Sequence, residues 1–173
     1  AQILAGIALA EGASRIPFKQ ALSIAESIKQ ALSKCRAVLK VEVAGSVRRK
    51  KPTIGDVDVL VSTNEPEKVM DFFTSLSNVN EVIMKGSTKS SVRVVQNVQV
   101  DVRAVKPGQW GSALMYFTGS KMHNIELRKI AMKKGLKLNE YGLFKGDKVI
   151  ASQTEKDIYE ALGRKYLPPD KRE

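Results

Sequence analysis

The sequence predicts an α+β fold: a mixed or antiparallel sheet with flanking helices, followed by a small helix-and-hairpin unit. Three observations predict it. Apolar residues alternate with polar ones in short runs such as Val57–Val61 and Val98–Val105, the period of a half-buried strand. Elsewhere apolar residues recur at helical spacing, as in Ala21, Leu22, Ala25, Ile28, Ala31 and Leu32. The strand-like runs between residues 81 and 105 are joined by links too short for a crossover helix, so they pair locally instead of forming a doubly wound sheet.

Taken in order, residues 17–39 read as a helix, with Pro17 in the first turn, where its missing N–H is harmless. Val41–Ala44 is a strand that stops at Gly45-Ser46, and Val57–Val61 is a second, entered after Gly55. Pro66–Leu76 is a helix with Val69, Met70, Phe72 and Phe73 as its apolar members. Glu81–Met84, Ser91–Gln96 and Val98–Val105 are strands, separated by Lys85–Lys89 and by Gln96-Asn97. Residues 111–118 and 121–134 are helical, and Leu136–Ile150 carries hairpin signals at Gly142 and Gly146-Asp147. Thr154–Leu162 is a short helix capped by Thr154, with Asp157 three residues on, and Lys165–Glu173 is a tail. The break at Thr118-Gly119-Ser120 divides the chain into residues 15–118 and 119–173, and residues 1–14 read as a stub of a preceding unit.

Composition narrows the function classes. The 173 residues carry a formal charge of +11, spread along the chain, which predicts attraction to polyanions. Hydrophobic residues make up 43%, enough for a core and too many for a disordered chain. The apolar stretch Ile3–Leu9 is broken by Gly6 and is too short to span a bilayer. One cysteine, Cys35, excludes a disulfide framework, and with one histidine it excludes a multi-Cys or His-based metal cluster. The start of the chain lacks the order of a signal peptide, so an intracellular protein without membrane contact is expected.

The most informative stretch runs from Gly45-Ser46-Val47-Arg48-Arg49 to Gly55-Asp56-Val57-Asp58-Val59-Leu60-Val61. On a strand, Asp56 and Asp58 share one face and the valines share the other. Two carboxylates about 6–7 Å apart repel each other unless a cation lies between them. Oxygen-only ligands favour Mg²⁺ or Mn²⁺ over zinc. In Val98–Arg103 the same alternation turns Asp101 away from its valines, so a neighbouring strand can bring it beside the pair. Three carboxylates can hold two divalent ions about 3.5–4 Å apart for in-line phosphoryl transfer. Gly45-Ser46 is a natural phosphate cradle, and Arg49 can grip phosphate oxygens in bidentate fashion. The alternative is a pair of exposed acids on an ordinary polar-out strand.

G-S-x-x-R followed by G-D-x-D resembles the nucleotidyltransferase signature of polymerase beta-like enzymes. Tyr116-Phe117-Thr118-Gly119-Ser120 resembles the hinge between the palm and the nucleotide-selecting subdomain of family X DNA polymerases. Asn124 and Arg128, Asn139-Glu140-Tyr141-Gly142, Glu155-Lys156-Asp157-Ile158, Lys165-Tyr166-Leu167-Pro168 and, at the start of the palm, Arg15-Ile16-Pro17 extend the resemblance to the end of the chain. It implies a palm over residues 15–118 and a carboxy-terminal nucleotide-selecting subdomain over 119–173. It implies a template-directed DNA polymerase that adds deoxynucleotides to a primer 3′-hydroxyl with two Mg²⁺ ions (or Mn²⁺) in short-gap repair. Its partners are then deoxynucleoside triphosphates and primer-template or gapped DNA, and the protein is a monomer in the cytoplasm or nucleus. Asp56 and Asp58 would ligate both metals and Asp101 the catalytic one. Gly45, Ser46, Arg49, Gly55 and Arg15 would hold the triphosphate, Tyr116, Phe117 and Gly119 the deoxyribose, and Asn124 the base. Arg128 would contact the template and Arg103 would neighbour the carboxylates. By their own spacing Lys129, Lys133 and Lys134 form a basic helical stripe, which reads either as a track for DNA phosphate or as a plain exposed face. Glu140 and Tyr141 would support the closed position of the last subdomain. The family's amino-terminal lyase domain is missing, so lyase activity is not expected and a weaker grip on DNA is.

Two other readings compete: an untemplated or non-DNA nucleotidyltransferase using the same metal site, and a non-catalytic nucleic-acid-binding module. Of the remaining residues, His123 reads as solvent-facing, Cys35 as a core residue of the first helix, and Trp110 as a packing anchor between the two units. The run Arg48–Lys51 reads either as a solvated turn or as a phosphate contact.

Overall fold

The computed structural model describes residues 15–173, and the stub expected at residues 1–14 lies outside the described residues. The first unit is a five-stranded sheet of β2 (Lys40–Ala44), β4 (Asp56–Ser62), β5 (Val79–Lys85), β6 (Lys89–Val94) and β7 (Gln99–Val105), in the order β2-β4-β7-β6-β5. The pair β4–β7 is parallel and the other pairs are antiparallel, so the sheet is mixed. A small ribbon of β1 (Ile16–Pro17) and β3 (Thr53–Ile54) leads the chain in.

Alternation decides which face of the sheet is dry. Val57, Val59 and Val61 on β4, Val100 and Val102 on β7, and Val92 and Val94 on β6 are all buried. They pack beneath α1 (Phe18–Ser33), through Ala21, Ile24, Ala25, Ile28 and Leu32, and beneath α3 (Pro66–Thr74), through Val69, Met70 and Phe73. The opposite face is only half covered. At its far end Leu60 packs with Ala113 and Leu114 of α4 (Trp110–Thr118), joined by Val105, Trp110 and Phe117. Trp110, expected to anchor the two units to each other, instead packs in a cluster made only of residues of the first unit. The near end of that face, with Asp56 and Asp58, stays open.

The second unit is α5 (Lys121–Lys133), the antiparallel sheet β8 (Lys137–Asn139), β9 (Gly142–Lys145) and β10 (Lys148–Ala151), and α6 (Glu155–Ala161). Its core is Met115, Leu127, Ala131, Leu143, Ile158, Tyr159 and Leu162. Ser120 caps α5 by accepting from the His123 amide (3.2 Å), and Thr154 caps α6 by accepting from the Asp157 amide (3.1 Å).

Four further expectations need correction. The first helix ends at Ser33, not at residue 39, because the Leu39 amide is drawn onto the Ser62 carbonyl (2.9 Å) at the edge of the sheet. Cys35 is buried, but in the turn beyond that helix. The strand expected over Ser91–Gln96 runs from Lys89 to Val94, because the Asn97 amide turns back onto the Val94 carbonyl (2.9 Å). The carboxy-terminal segment is no loose tail: Arg172 is fully buried and its Nη1 donates to Glu155 (2.6 Å). Among the described residues no helix is long and apolar enough to cross a membrane.

Candidate active site

The chain leaves β2 at Gly45, whose φ of +60° belongs to the left-handed region that glycine tolerates. The expected Gly-Ser turn is in fact a single helical turn, α2 (Gly45–Arg48). A Cβ on Gly45 would overlap the Asp58 carboxylate, so the absent side chain makes room for the acid.

Because the β4 valines point inward, Asp56 and Asp58 point to the open face. The parallel register sets Asp58 opposite Asp101 and Asp56 opposite Gln99. Buried Val100 and Val102 turn Asp101 to the same side. The three acids thus share one face, but their oxygens do not close into a cage. Among the described residues no three acid, histidine or cysteine side chains stand ready to hold a metal ion. Asp58 leans against Gly45, and Asp101 Oδ1 accepts from Gln99 Nε2 (3.0 Å). Uncompensated like charge is the reason to stay apart. Burial, then Asp101 and Asp56, pushes the Asp58 carboxyl up to about 6 against the pull of Arg103 and Lys89. Burial and Asp101 raise Asp56 as well, against Arg93, Arg15 and Lys89. A hard, all-oxygen donor set that repels itself fits a divalent cation such as Mg²⁺ or Mn²⁺.

An open cleft of about 880 Å³ runs from these acids to the second unit. Arg15, Gly45, Ser46, Arg49, Gly55, Asp56, Asp58, Tyr116, Phe117, Gly119, Asn124 and Arg128 line it. Asp101 is not on its wall, lying one strand further in. Arg15 is tied to Thr53 through Nε and Nη2 (3.1 and 2.8 Å). Arg49 Nη1 donates to the Thr118 carbonyl (2.6 Å), and its Nε is buried without a partner. Gly119, with φ +72°, lets that guanidinium approach: a Cβ there would sit 3.1 Å from Arg49 Nη1. Tyr116 and Phe117 meet edge to face (5.0 Å), and Asn124 Nδ2 donates to the Tyr116 carbonyl (2.8 Å).

Other expected residues lie off this cleft. Arg103 stacks its guanidinium over Phe117 (4.4 Å) and lines a neighbouring cavity with Glu140 and Tyr141. Lys129 and Lys133 are exposed on α5, outside the cleft. Arg48 is neither a solvated turn residue nor on the cleft wall. It pairs with Glu155 through both Nη atoms (2.8 and 2.7 Å) and donates to Thr118 Oγ1 (2.8 Å). His123, expected to face solvent, is buried against Tyr159 of α6. Sequence reasoning missed Pro52, Thr53, Thr118 and Lys121 on the cleft wall, and flagged Lys51 there only as part of the Arg48–Lys51 run. Lys51 also pairs with Glu173.

The DNA polymerase beta palm family matches residues 15–111, and the DNA polymerase beta thumb family matches residues 113–173. The chain belongs to the family X DNA polymerases. Among relatives, it is 36% identical over 163 residues to the DNA polymerase/3′-5′ exonuclease PolX of Bacillus subtilis, covering 92% of this chain and 29% of that protein. It is 26% identical over 189 residues to DNA polymerase lambda of Rattus norvegicus, covering 92% and 33%. The chain therefore spans about a third of the length of these two relatives. Polymerase beta of Leishmania infantum in its ternary P/T complex superposes with a TM-score of 0.79 at 25% identity, over 92% of this chain and 77% of that one. In family X terms, the mixed sheet is the palm and α5, α6 and the three-stranded sheet belong to the thumb.

Proposed function

We propose that this chain carries the nucleotidyl-transfer core of a template-directed DNA polymerase, adding deoxynucleotides to a primer 3′-hydroxyl in short-gap repair. The observation behind this reading is the opposition of Asp58 and Asp101 across a parallel strand pair, beside a cleft walled by Ser46, Arg49 and Gly119. Asp56, Asp58 and Asp101 would hold two Mg²⁺ ions, which when bound would acidify the primer hydroxyl and neutralise triphosphate charge. Arg49, with its unpaired Nε, Arg15 and Ser46 would bind the triphosphate oxygens. The Tyr116–Phe117 backbone would crowd a 2′-hydroxyl, and Asn124 would meet the base. The primer 3′-hydroxyl would give its proton to solvent, its oxygen would bond to the α-phosphorus as the bond to the β-phosphate oxygen breaks, and pyrophosphate would leave. Leishmania infantum polymerase beta forms a ternary P/T complex and a ternary gap complex, which supports primer-template or gapped DNA as partner here.

Primer extension on gapped duplex with Mg²⁺ is the test. The chain is expected to insert the nucleotide complementary to the template, and no insertion overturns the reading. Asp101→Asn is expected to lower kcat on the order of 10³-fold while nucleotide binding persists. Insertion that ignores a scrambled template would instead mark an untemplated nucleotidyltransferase.

A further inference from the structure

Asn124 sits in the first turns of α5, and its neighbour is the chain's only histidine. His123 is buried, with Nε2 2.7 Å from the Tyr159 hydroxyl on α6. Its Nδ1 is buried without a partner. Tyr159 is itself wedged, its ring edge-on to Tyr166 (5.6 Å) and 5.5 Å from the Arg172 guanidinium. Arg172 pairs with Glu155, Glu155 with Arg48, and Arg48 with Thr118. A largely buried chain of polar side chains therefore runs behind the cleft, joined at Tyr159 and Arg172 by a cation–π contact. One end adjoins Asn124 and the other adjoins Arg49.

The surrounding thumb core is apolar. A phenyl ring would fill the His123 site with no ring nitrogen to satisfy, but it would take from the buried Tyr159 hydroxyl its imidazole partner. The hydrogen bond to Tyr159 is what an imidazole adds there. The geometry points to His123 as a positioning residue: bonded to Tyr159, it fixes the rotation of the first turn of α5 and so where Asn124 meets the incoming nucleotide. This rests on the nucleotidyl-transfer reading above.

The groups around His123 are Asn124 and Glu126 on its own helix, Glu155 and Tyr159 on α6, and Arg172 of the carboxy-terminal segment. Burial and then Arg172 hold the imidazole below its ordinary pKa, so it stays neutral at neutral pH. An imidazolium would face the Arg172 charge, with the Asn124 side chain, Glu126 and Glu155 drawing the other way. Acidification is therefore expected to loosen the first turn of α5.

Three variants test this on gapped DNA with Mg²⁺. His123→Phe and Tyr159→Phe keep the packing and remove the bond, and each is expected to raise the KM for the nucleotide about five- to tenfold with little change in kcat. His123→Gln can still bond Tyr159 and does not titrate, so it is expected to restore KM and to abolish the rise in KM that the wild type shows on acidification. Unchanged KM in both phenylalanine variants, with only a lower melting temperature, overturns the proposal, as does His123→Gln behaving like His123→Phe. A second measurement needs no turnover: the Asn124 side-chain amide resonance is expected to titrate with His123 in the nucleotide-free protein and to stop doing so in His123→Phe. If the wild type extends no primer, the polymerase reading falls while this resonance still decides the coupling. An Asn124 signal indifferent to His123 ends the proposal.

Discussion

At Gly45 two demands fall on one residue. The backbone turns through a left-handed conformation, and the space where a Cβ would lie belongs to the Asp58 carboxylate. Gly45→Ala should therefore strain the turn and displace the acid together. Its expected cost is about 1–3 kcal/mol of stability, read by thermal melting. Extension should slow by roughly 10²-fold, because displacing a reacting group by an ångström is enough to do so. Asp58 is the opposite case, a charge the metal-free fold holds at a loss. Its folded pKa of about 6 lies above the ordinary carboxylate value of 3.8. The stabilising contribution of its proton is thus full below the ordinary value and is lost as pH rises through about 6. At neutral pH, Asp58→Asn is expected to raise the metal-free melting temperature by about 3–6 °C while abolishing extension. Mg²⁺ should stabilise the wild type more than this variant. A variant that melts below the wild type contradicts the electrostatic account.

Secondary elements differ in how much of their role is local, and this sets what the sequence made legible. The faces of β4 and β7 follow from alternation alone, so Asp56, Asp58 and Asp101 could be assigned to the polar side before any neighbour was known. The parallel pairing of those strands, which sets Asp58 opposite Asp101, has no local signal, because it is decided by the path of the chain through α3, β5 and β6. Arg48 and Arg49 look alike in sequence. On a helical turn adjacent side chains diverge by about 100°. Arg49 accordingly reaches the cleft and Arg48 turns to the thumb. His123 read as solvent-facing because its partner, Tyr159, lies on a different helix. Helix α5 allows a direct test of such divergence. Arg128 lines the cleft, whereas Lys129 and Lys133 stand exposed outside it. Arg128→Ala is expected to impair templated insertion. Replacing both lysines by alanine should leave the nucleotide KM unchanged and reduce the salt slope of DNA binding by about 0.9 for each phosphate left without its cation. A nucleotide KM raised by the lysine pair would place those side chains at the cleft instead.

Across the described residues, palm and thumb meet where Met115 of α4 enters the thumb core and through a buried ionic cluster. Glu155 stands between Arg48 of the palm and Arg172 near the carboxy terminus, which is fully buried. Burial alone would push the Glu155 carboxyl up, but Arg48 and Arg172 outweigh it and hold it below the usual carboxylate range. A depressed folded pKa stabilises the fold above the ordinary value of 4.5, and that contribution is lost as pH falls through the folded value. Glu155→Gln keeps the shape and leaves two guanidinium groups without a counter-charge, at an expected cost of about 3–5 kcal/mol. Its melting temperature should fall by roughly 10 °C at neutral pH. The same ion cluster ties the palm turn α2 to the thumb helix α6, so the variant is expected to unfold in two calorimetric steps where the wild type unfolds in one. Acidification completes the argument: the wild type should lose stability below the ordinary carboxylate range, and the variant, already without that charge, should lose less over the same interval. Parallel losses in the two proteins would mean that the cluster does not hold palm and thumb together.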